Sequence, residues 1–210
     1  FWRSFTHWVG GMGIIVFVMA ILPNVSERPI HILRAEIPGP TVGKLVPRIK
    51  DTALILYLIY IVMTVIETVM LLFGGMSFFE SLLHTFGTAG TGGFGLKRDS
   101  LASYSPYIQW VITAFMILFG VNFNLYYLML LKKFKAVVTS TELWAYFGII
   151  LSSAALIAWN IRHLFVGTEQ TVRTAAFQVA SVISTTGYAT ADFNLWPNFS
   201  KNILFILMFI

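Results

Sequence analysis

Long and short apolar stretches alternate along this chain, separated by polar segments marked by proline, lysine or arginine. Phe1 to Leu22, Ala53 to Phe73, Ile108 to Leu131 and Leu143 to Ile161 are each close to the ~20 residues a helix needs to cross hydrocarbon, and Asn202 to Ile210 opens one more. Met76 to Gly90 and Ala175 to Ser184 are apolar too. At ~1.5 Å per residue they are too short to cross a ~30 Å core, so each is expected to enter and return. The predicted order is helix, short re-entrant segment, helix, given once from Ala53 to Leu131 and again from Leu143 onward. Phe1 to Leu22 is then the last helix of an earlier unit, and because both ends fall inside apolar stretches the chain reads as an internal piece of a longer one.

The polar segments fix the ends of these elements and their orientation. Pro23 ends the first helix because it has no N–H to continue the ladder. Gly10-Gly11-x-Gly13 within that helix permits either close helix packing or a bend. Arg28, Arg34, Lys44, Arg48 and Lys50, with Lys132, Lys133 and Lys135, gather on one side of the spans. An excess of Lys and Arg marks the cytoplasmic face, so both short segments are expected to enter from outside.

Composition then fixes the solvent. The chain is 57% hydrophobic and 11% charged with a mean hydropathy of +0.79, against about 25% charged residues in a soluble domain. An all-α integral membrane protein is expected. The net charge of +5 sits in short inter-span segments rather than on one basic face, which argues for topology and against nucleic acid. Without cysteine, disulfide frameworks and thiolate metal sites are excluded.

The two short runs end alike. Thr91-Gly92-Gly93-Phe94-Gly95 closes the first and Thr185-Thr186-Gly187-Tyr188-Ala189 the second, about 94 residues later, a separation that fits an internal repeat. Non-helical backbone at membrane depth survives only where it is buried in protein or lines a wet cavity, since an unpaired carbonyl otherwise costs several kcal/mol. A dehydrated cation can use such carbonyls. The helix before each loop turns the negative end of its dipole toward the same spot. Gly93 and Gly187 permit positive φ, so that successive carbonyls of Thr91, Gly92 and Gly93, and of Thr185, Thr186 and Gly187, can point inward. The hydroxyls of Thr91 and Thr185 add an oxygen at the inner end, and Phe94 and Tyr188 are expected to pack outward and hold each loop open.

Other residues carry open alternatives. Glu67, the one ionisable residue in its span, either faces protein or water as a functional group or snorkels to the interface. Asn122 and Asn124 either line an inner vestibule or hydrogen-bond a neighbouring helix. Asp99 and Asp192 follow the two loops and either concentrate cations or are solvated loop charges. His7, His31, His84 and His163 show no metal-ligand spacing. Trp2, Trp8, Trp110, Trp144, Trp159 and Trp196 lie mostly near segment ends, where interfacial anchors are found.

The two loops are similar to the Thr-Val-Gly-Tyr-Gly filter of potassium channels, in which carbonyl oxygens replace the ion's hydration shell. With Arg34-Ala35-Glu36-x-Pro38-Gly39-Pro40, Lys44-Leu45-x-Pro47-Arg48-Ile49 and Phe177-Gln178-x-x-Ser181, the chain resembles the Trk/Ktr family of potassium uptake proteins, and within it the TrkH-like membrane subunits, over essentially all 210 residues. The resemblance implies a potassium-channel-like fold, one pore built from four non-identical repeats. Residues 1–50 would then be the last helix of repeat one plus a cytoplasmic loop, 51–135 repeat two and 142–210 part of repeat three. It implies one key glycine per filter, here Gly93 and Gly187, with Thr91, Gly92, Phe94, Thr185, Thr186 and Tyr188 around them. Where the family has Thr-Gly before its aromatic, repeat two has Gly92-Gly93, which implies looser coordination. It further implies K+ as the transported ion with no covalently bound cofactor, a homodimer in the lipid bilayer of a bacterial inner membrane, a cytoplasmic TrkA-like nucleotide-binding regulatory subunit, and a gate beyond Ile210.

Two other classes compete. An intramembrane enzyme would use Glu67, His84 or the threonine-rich loops, but no nucleophile and base share a local spacing. A non-conducting scaffold subunit would use the glycines for packing alone, which leaves the repeated Thr-x-Gly-aromatic ends without a reason.

Overall fold

The computed structural model of the chain describes residues 1–11, 13 and 49–209, residues 49–52 by backbone alone. The expected helix end at Pro23, His31 and the basic loop with Arg28, Arg34, Lys44 and Arg48 lie outside the described residues. Within them the chain is helical: α1 (Trp2–Gly11), α2 (Ile49–Phe73), α3 (Phe78–Ala89), α4 (Pro106–Phe119), α5 (Phe123–Leu130), α6 (Phe134–Val138), α7 (Thr141–Ile161), α8 (Thr168–Ile183), a short 3-10 turn (Phe193–Leu195) and α9 (Asn198–Leu207).

Helices α2 and α7 are long and apolar enough to cross a membrane, and α4 with α5 would form a third span if taken together. On α2, Leu54, Leu58, Val62, Val65 and Val69 stand exposed, the arrangement a helix adopts when lipid or further protein covers it. On the buried face of α2 the two threonine hydroxyls are satisfied from within. Thr64 and Thr68 donate to the carbonyls of Tyr60 and Thr64 at 2.8 and 2.9 Å, as hydroxyls must where no water is available.

Two expectations change. Of the predicted first helix, Phe1 to Leu22, α1 covers Trp2 to Gly11, and residues 12 and 14–22 lie outside the described residues. Gly13 takes φ +80°, its N–H bonded to the Gly10 carbonyl at 2.8 Å. The predicted span Ile108 to Leu131 is broken: α4 and α5 meet at 85°. Gly120 ends α4 where a Cβ would collide with the hydroxyl of Tyr146 from α7, and Asn122 starts α5 by accepting the Asn124 N–H at 3.0 Å. A break so placed lets α7 approach, at the cost of a straight helix. The second short run is also a longer helix than its apolar core suggested, extending back from Ala175 to Thr168.

Asn122 also donates its amide to both carboxylate oxygens of Glu142 at 3.3 Å, so of its two readings the helix contact holds. Not every tryptophan is an interfacial anchor. Trp2, Trp144 and Trp159 are exposed, but Trp196 is buried with Ile150, Ile157, Ala175 and Leu204, and Trp8 donates to Thr64 at 3.1 Å inside the bundle.

The short helices α3 and α8 sit at the centre. Helix α3 packs on α1, α2 and α4, while α8 packs on α7, α4 and α9. The core around them includes Tyr60, Leu71, Ile112, Met116, Phe177 and Tyr188. Both loops thereby hang from helices held on several sides.

Candidate functional site

Helix α3 begins with a capping box. The Ser77 hydroxyl accepts the Glu80 N–H at 3.3 Å, while the Glu80 carboxylate accepts the Ser77 N–H at 3.2 Å, satisfying two of the N–H groups that a helix start leaves free. The Ser77 backbone N–H, then the Ser77 and Tyr104 hydroxyls, hold the Glu80 carboxyl below its usual range. Tyr104 donates to Glu80 at 3.4 Å, and its phenol is pushed up to about 12 by burial first and by Glu80 next.

The C-terminal ends of α3 and α8 are built bond for bond alike. In the first loop, Gly90 N–H donates to Phe86 O at 3.0 Å, Thr91 N–H to Thr88 O at 3.1 Å, and Gly92 and Gly93 N–H both to Gly87 O at 2.7 and 3.3 Å. In the second, Ser184 donates to Ala180 at 3.0 Å, Thr185 to Val182 at 3.0 Å, and Thr186 and Gly187 to Ser181 at 3.0 and 3.3 Å. Every N–H of the turn is thus spent on the preceding helix. The loop carbonyls that follow are left to other partners.

The dihedral angles repeat as well. Gly93 and Gly187 have φ +63° and +86°, as their residue type allows. Thr91 and Thr185 have φ +51° and +57°, a left-handed conformation that is a genuine outlier for a β-branched residue and that persists only when its surroundings impose it. Sequence reading missed this strain because nothing in the residue type announces it. Both threonines are exposed on the open side of their loops.

The structure brings the two loops together. A Cβ on Gly93 would run into the carbonyl oxygen of Thr186, whereas around Gly187 nothing lies within 4 Å. At the outer side, Leu101 N–H donates to Ala189 O at 3.1 Å and the Ser100 hydroxyl accepts the Ala189 N–H at 3.3 Å, so the segment after the first loop ties down the second. Within the second loop the Ser181 hydroxyl donates to Tyr188 O at 2.6 Å, and Ser184 and Thr186 share a hydrogen bond of 2.7 Å.

The two aromatics turn away from the open side. Tyr188 is fully buried and reaches α3, donating to the His84 carbonyl at 3.2 Å. Phe94 lies against α1, with the Arg3 guanidinium 3.5 Å from its ring centre and His7 edge-on at 5.1 Å. Beneath the first loop an open cavity of about 440 Å³ is bounded by Thr6, His7, Gly10, Gly11, Gly90 and Thr91. Gly11 and Gly90 meet at its edge. A Cβ on Gly11 would lie 2.9 Å from the Ala89 carbonyl oxygen and one on Gly90 2.5 Å from that of His7. Of the α1 glycines Gly11 thus serves close packing, while around Gly10 nothing lies within 4 Å.

Glu67 does not snorkel. It is 0% exposed, in the middle of the bundle. Asp192 caps its own turn, accepting Asn194 N–H at 2.9 Å, and Asp99 stands exposed in a turn after the first loop. Arg173, in the part of α8 that the apolar pattern did not reveal, is buried and pairs with Glu169 at 2.6 Å. Trp110 donates to the same carboxylate at 3.1 Å, linking α4 to α8.

Similarity to known proteins agrees with this geometry. Residues 1–150 match the family described as TrkH, cation transport protein. The chain is 34% identical over 216 residues to the Trk system potassium uptake protein TrkH of Escherichia coli K12, covering 100% of this chain and 44% of that protein. It is 31% identical over 231 residues to the protein of the same name from Halomonas elongata, again covering 100% and 44%. The crystal structure of the potassium transporter TrkH from Vibrio parahaemolyticus superposes with a TM-score of 0.79 at 28% identity, over 99% of this chain and 42% of that one. The chain therefore spans less than half the length of these relatives.

Proposed function

Because the chain belongs to the TrkH family of cation transport proteins, we propose that it supplies two of the walls of a potassium-selective pathway in the membrane subunit of a Trk-type uptake system. Potassium crosses a bacterial plasma membrane here through carbonyl oxygens of Thr91, Gly92 and Gly93 and of Thr185, Thr186 and Gly187, with Phe94 and Tyr188 holding the loops from outside. Residues 1–50 end one pore repeat, 51–135 form the second and 142–210 begin the third. The observation that carries this reading is the matched set of backbone bonds and left-handed residues in the two loops. It is hard to reconcile with a scaffold role, since packing alone does not require two strained threonines at equivalent positions. An enzyme is disfavoured by family membership.

The choice of potassium rests on the named activity of the relatives. The open face of Gly187 supports a further loop beside it, since its counterpart on Gly93 is filled by Thr186. A homodimer and a TrkA-like nucleotide-binding regulatory subunit docked on the basic inner loops complete the proposal, and no cofactor is covalently held. The test is rubidium uptake against sodium uptake in potassium-uptake-deficient cells carrying the full-length parent or its Gly187→Ser and Gly93→Ser variants. Rescue at low potassium with sodium admitted by either variant is expected. A parent that moves no cation, matched by both variants at normal abundance, would favour the scaffold.

A further inference from the structure

Behind the two loops lies a carboxyl group that the pathway itself does not use. Glu67 projects from α2 into full burial, and neither of its oxygens has a hydrogen-bond partner among the described residues. Such a group is expensive. An unpartnered buried carboxyl keeps its place only where something else depends on it.

Its surroundings are the supports of both loops. The Thr88 hydroxyl, in the last turn of α3, stands within reach of Glu67, but is already given to the His84 carbonyl at 2.9 Å. The Tyr188 phenol is held on the same His84 carbonyl; next to Glu67 on α2 the Thr68 hydroxyl lies 3.2 Å from that of Thr85 on α3, and Tyr60 stands two turns back on the buried face of α2. Tyr60 in turn donates to the Trp8 carbonyl of α1 at 2.8 Å. No cationic side chain contributes to the surroundings of Glu67 among the described residues. Among those residues it is therefore not half of an ion pair. It is a polar group set where α2, the end of α3 and the aromatic of the second loop converge.

We propose that Glu67 is a positioning residue for ion selection, filling the polar junction between α2, Thr88 and Tyr188 so that the aromatic of the second loop and the last turn of α3 stay in fixed register. This rests on the ion-pathway reading above and adds a residue to it. A fully buried side chain that any loop motion must displace resists that motion, and small displacements of carbonyl ligands are what separates ions of similar charge and different radius. With no cation facing it among the described residues, glutamine keeps its size and polarity and can replace it.

The experiment compares the full-length parent with Glu67→Gln, Glu67→Ala and Glu67→Asp, using the ratio of rubidium to sodium uptake per membrane-resident protein, beside the thermal melting of each purified protein. Glu67→Gln is expected to keep the ratio within about twofold, while Glu67→Ala and Glu67→Asp lower it about tenfold. Should Glu67→Ala fail to accumulate, Glu67→Asp, which retains a carboxyl one methylene shorter, supplies the reading. A purely structural role predicts lower abundance and melting temperature at an unchanged ratio. That result, or a Glu67→Gln protein as unselective as the aspartate variant, overturns the proposal. Gly187→Ser runs in parallel: if it alone changes the ratio, the pathway stands and the role of Glu67 falls, whereas if it too leaves the ratio unchanged, the pathway reading itself has failed.

Discussion

Tyr188 places its hydroxyl against Gly87, on the short helix of the other unit, so closely that a Cβ on Gly87 would overlap it. The same hydroxyl donates to the His84 carbonyl and lies 3.3 Å from His84 Nδ1. One loop is therefore keyed into the helix that carries the other, and neither can move alone.

Gly87→Ala tests this key. The added methyl meets a fully buried phenol that has no free volume to enter, and overpacking of this kind costs about 1–3 kcal/mol. The expected protein melts several degrees lower and discriminates less well between rubidium and sodium. Tyr188→Phe removes the hydroxyl and its bond, a loss of about 0.5–1.5 kcal/mol. Combined with Gly87→Ala, it should recover part of the melting temperature, because the clashing oxygen is gone. Additive losses in the double variant would mean that the two residues do not share a contact.

A contrast between the two loop glycines follows from their surroundings. Both have positive φ, so alanine strains either backbone by about 1–2 kcal/mol. At Gly93 the methyl also strikes the Thr186 carbonyl, while at Gly187 it enters open space within this chain. If a further loop of the full-length protein occupies that space, Gly93→Ala and Gly187→Ala should impair potassium uptake to a similar degree. A Gly187→Ala protein that transports far better than Gly93→Ala would leave the space empty and break the proposed ring of loops.

The start of α3 gives a pH prediction with a definite sign. Glu80 is held below its usual range by the Ser77 N–H, so it stabilises the fold fully above the unfolded carboxyl value of ~4.3 and progressively less as pH falls through its lower folded value. The group is partly exposed, and solvent screening keeps the effect small. Melting temperature should fall on acidification below pH ~4 more steeply in the parent than in Glu80→Gln. Ser77→Ala removes the cap itself and should cost about 1 kcal/mol at neutral pH. Equal acid slopes for parent and Glu80→Gln would remove Glu80 from this account.

What could be read from the sequence, and what could not, divides along physical lines. Hydropathy and length located α2, α3 and α7, and the two Thr-x-Gly-aromatic ends located both loops, because burial in lipid and positive φ leave local marks. The first turns of α8 escaped because Thr168 to Thr174 is polar. Its helix is anchored instead by the Arg173–Glu169 pair and by Trp110 from α4, contacts that no periodicity contains. The break after Phe119 escaped for a similar reason, since Gly120 yields to Tyr146 from a helix that comes later in the chain. The left-handed Thr91 and Thr185 are imposed by the hydrogen bonds of the turn, not by their own preference. Glu67 was visible as an anomaly, but only packing decides between snorkelling and burial.

The broken span offers the last test. Asn122 uses its oxygen to cap α5 and its amide to reach Glu142 at the start of α7, so a single side chain fixes both the bend and the approach of the next helix. Asn122→Ala loses the cap and should cost about 1 kcal/mol. Asn122→Asp keeps the capping oxygen and sets a carboxylate against Glu142. Like charges raise the values of both carboxyls, so the penalty is present above those raised values and is relieved as pH falls through them. At this half-exposed site it should amount to roughly 0.2–1 kcal/mol. The melting temperature of Asn122→Asp should therefore approach that of the parent only as pH falls below ~5, and adding Glu142→Gln should restore it at neutral pH without acidification. If Glu142→Gln leaves Asn122→Asp unchanged, the bend is held by Gly120 and Tyr146 alone, and the contact between Asn122 and Glu142 contributes nothing to it.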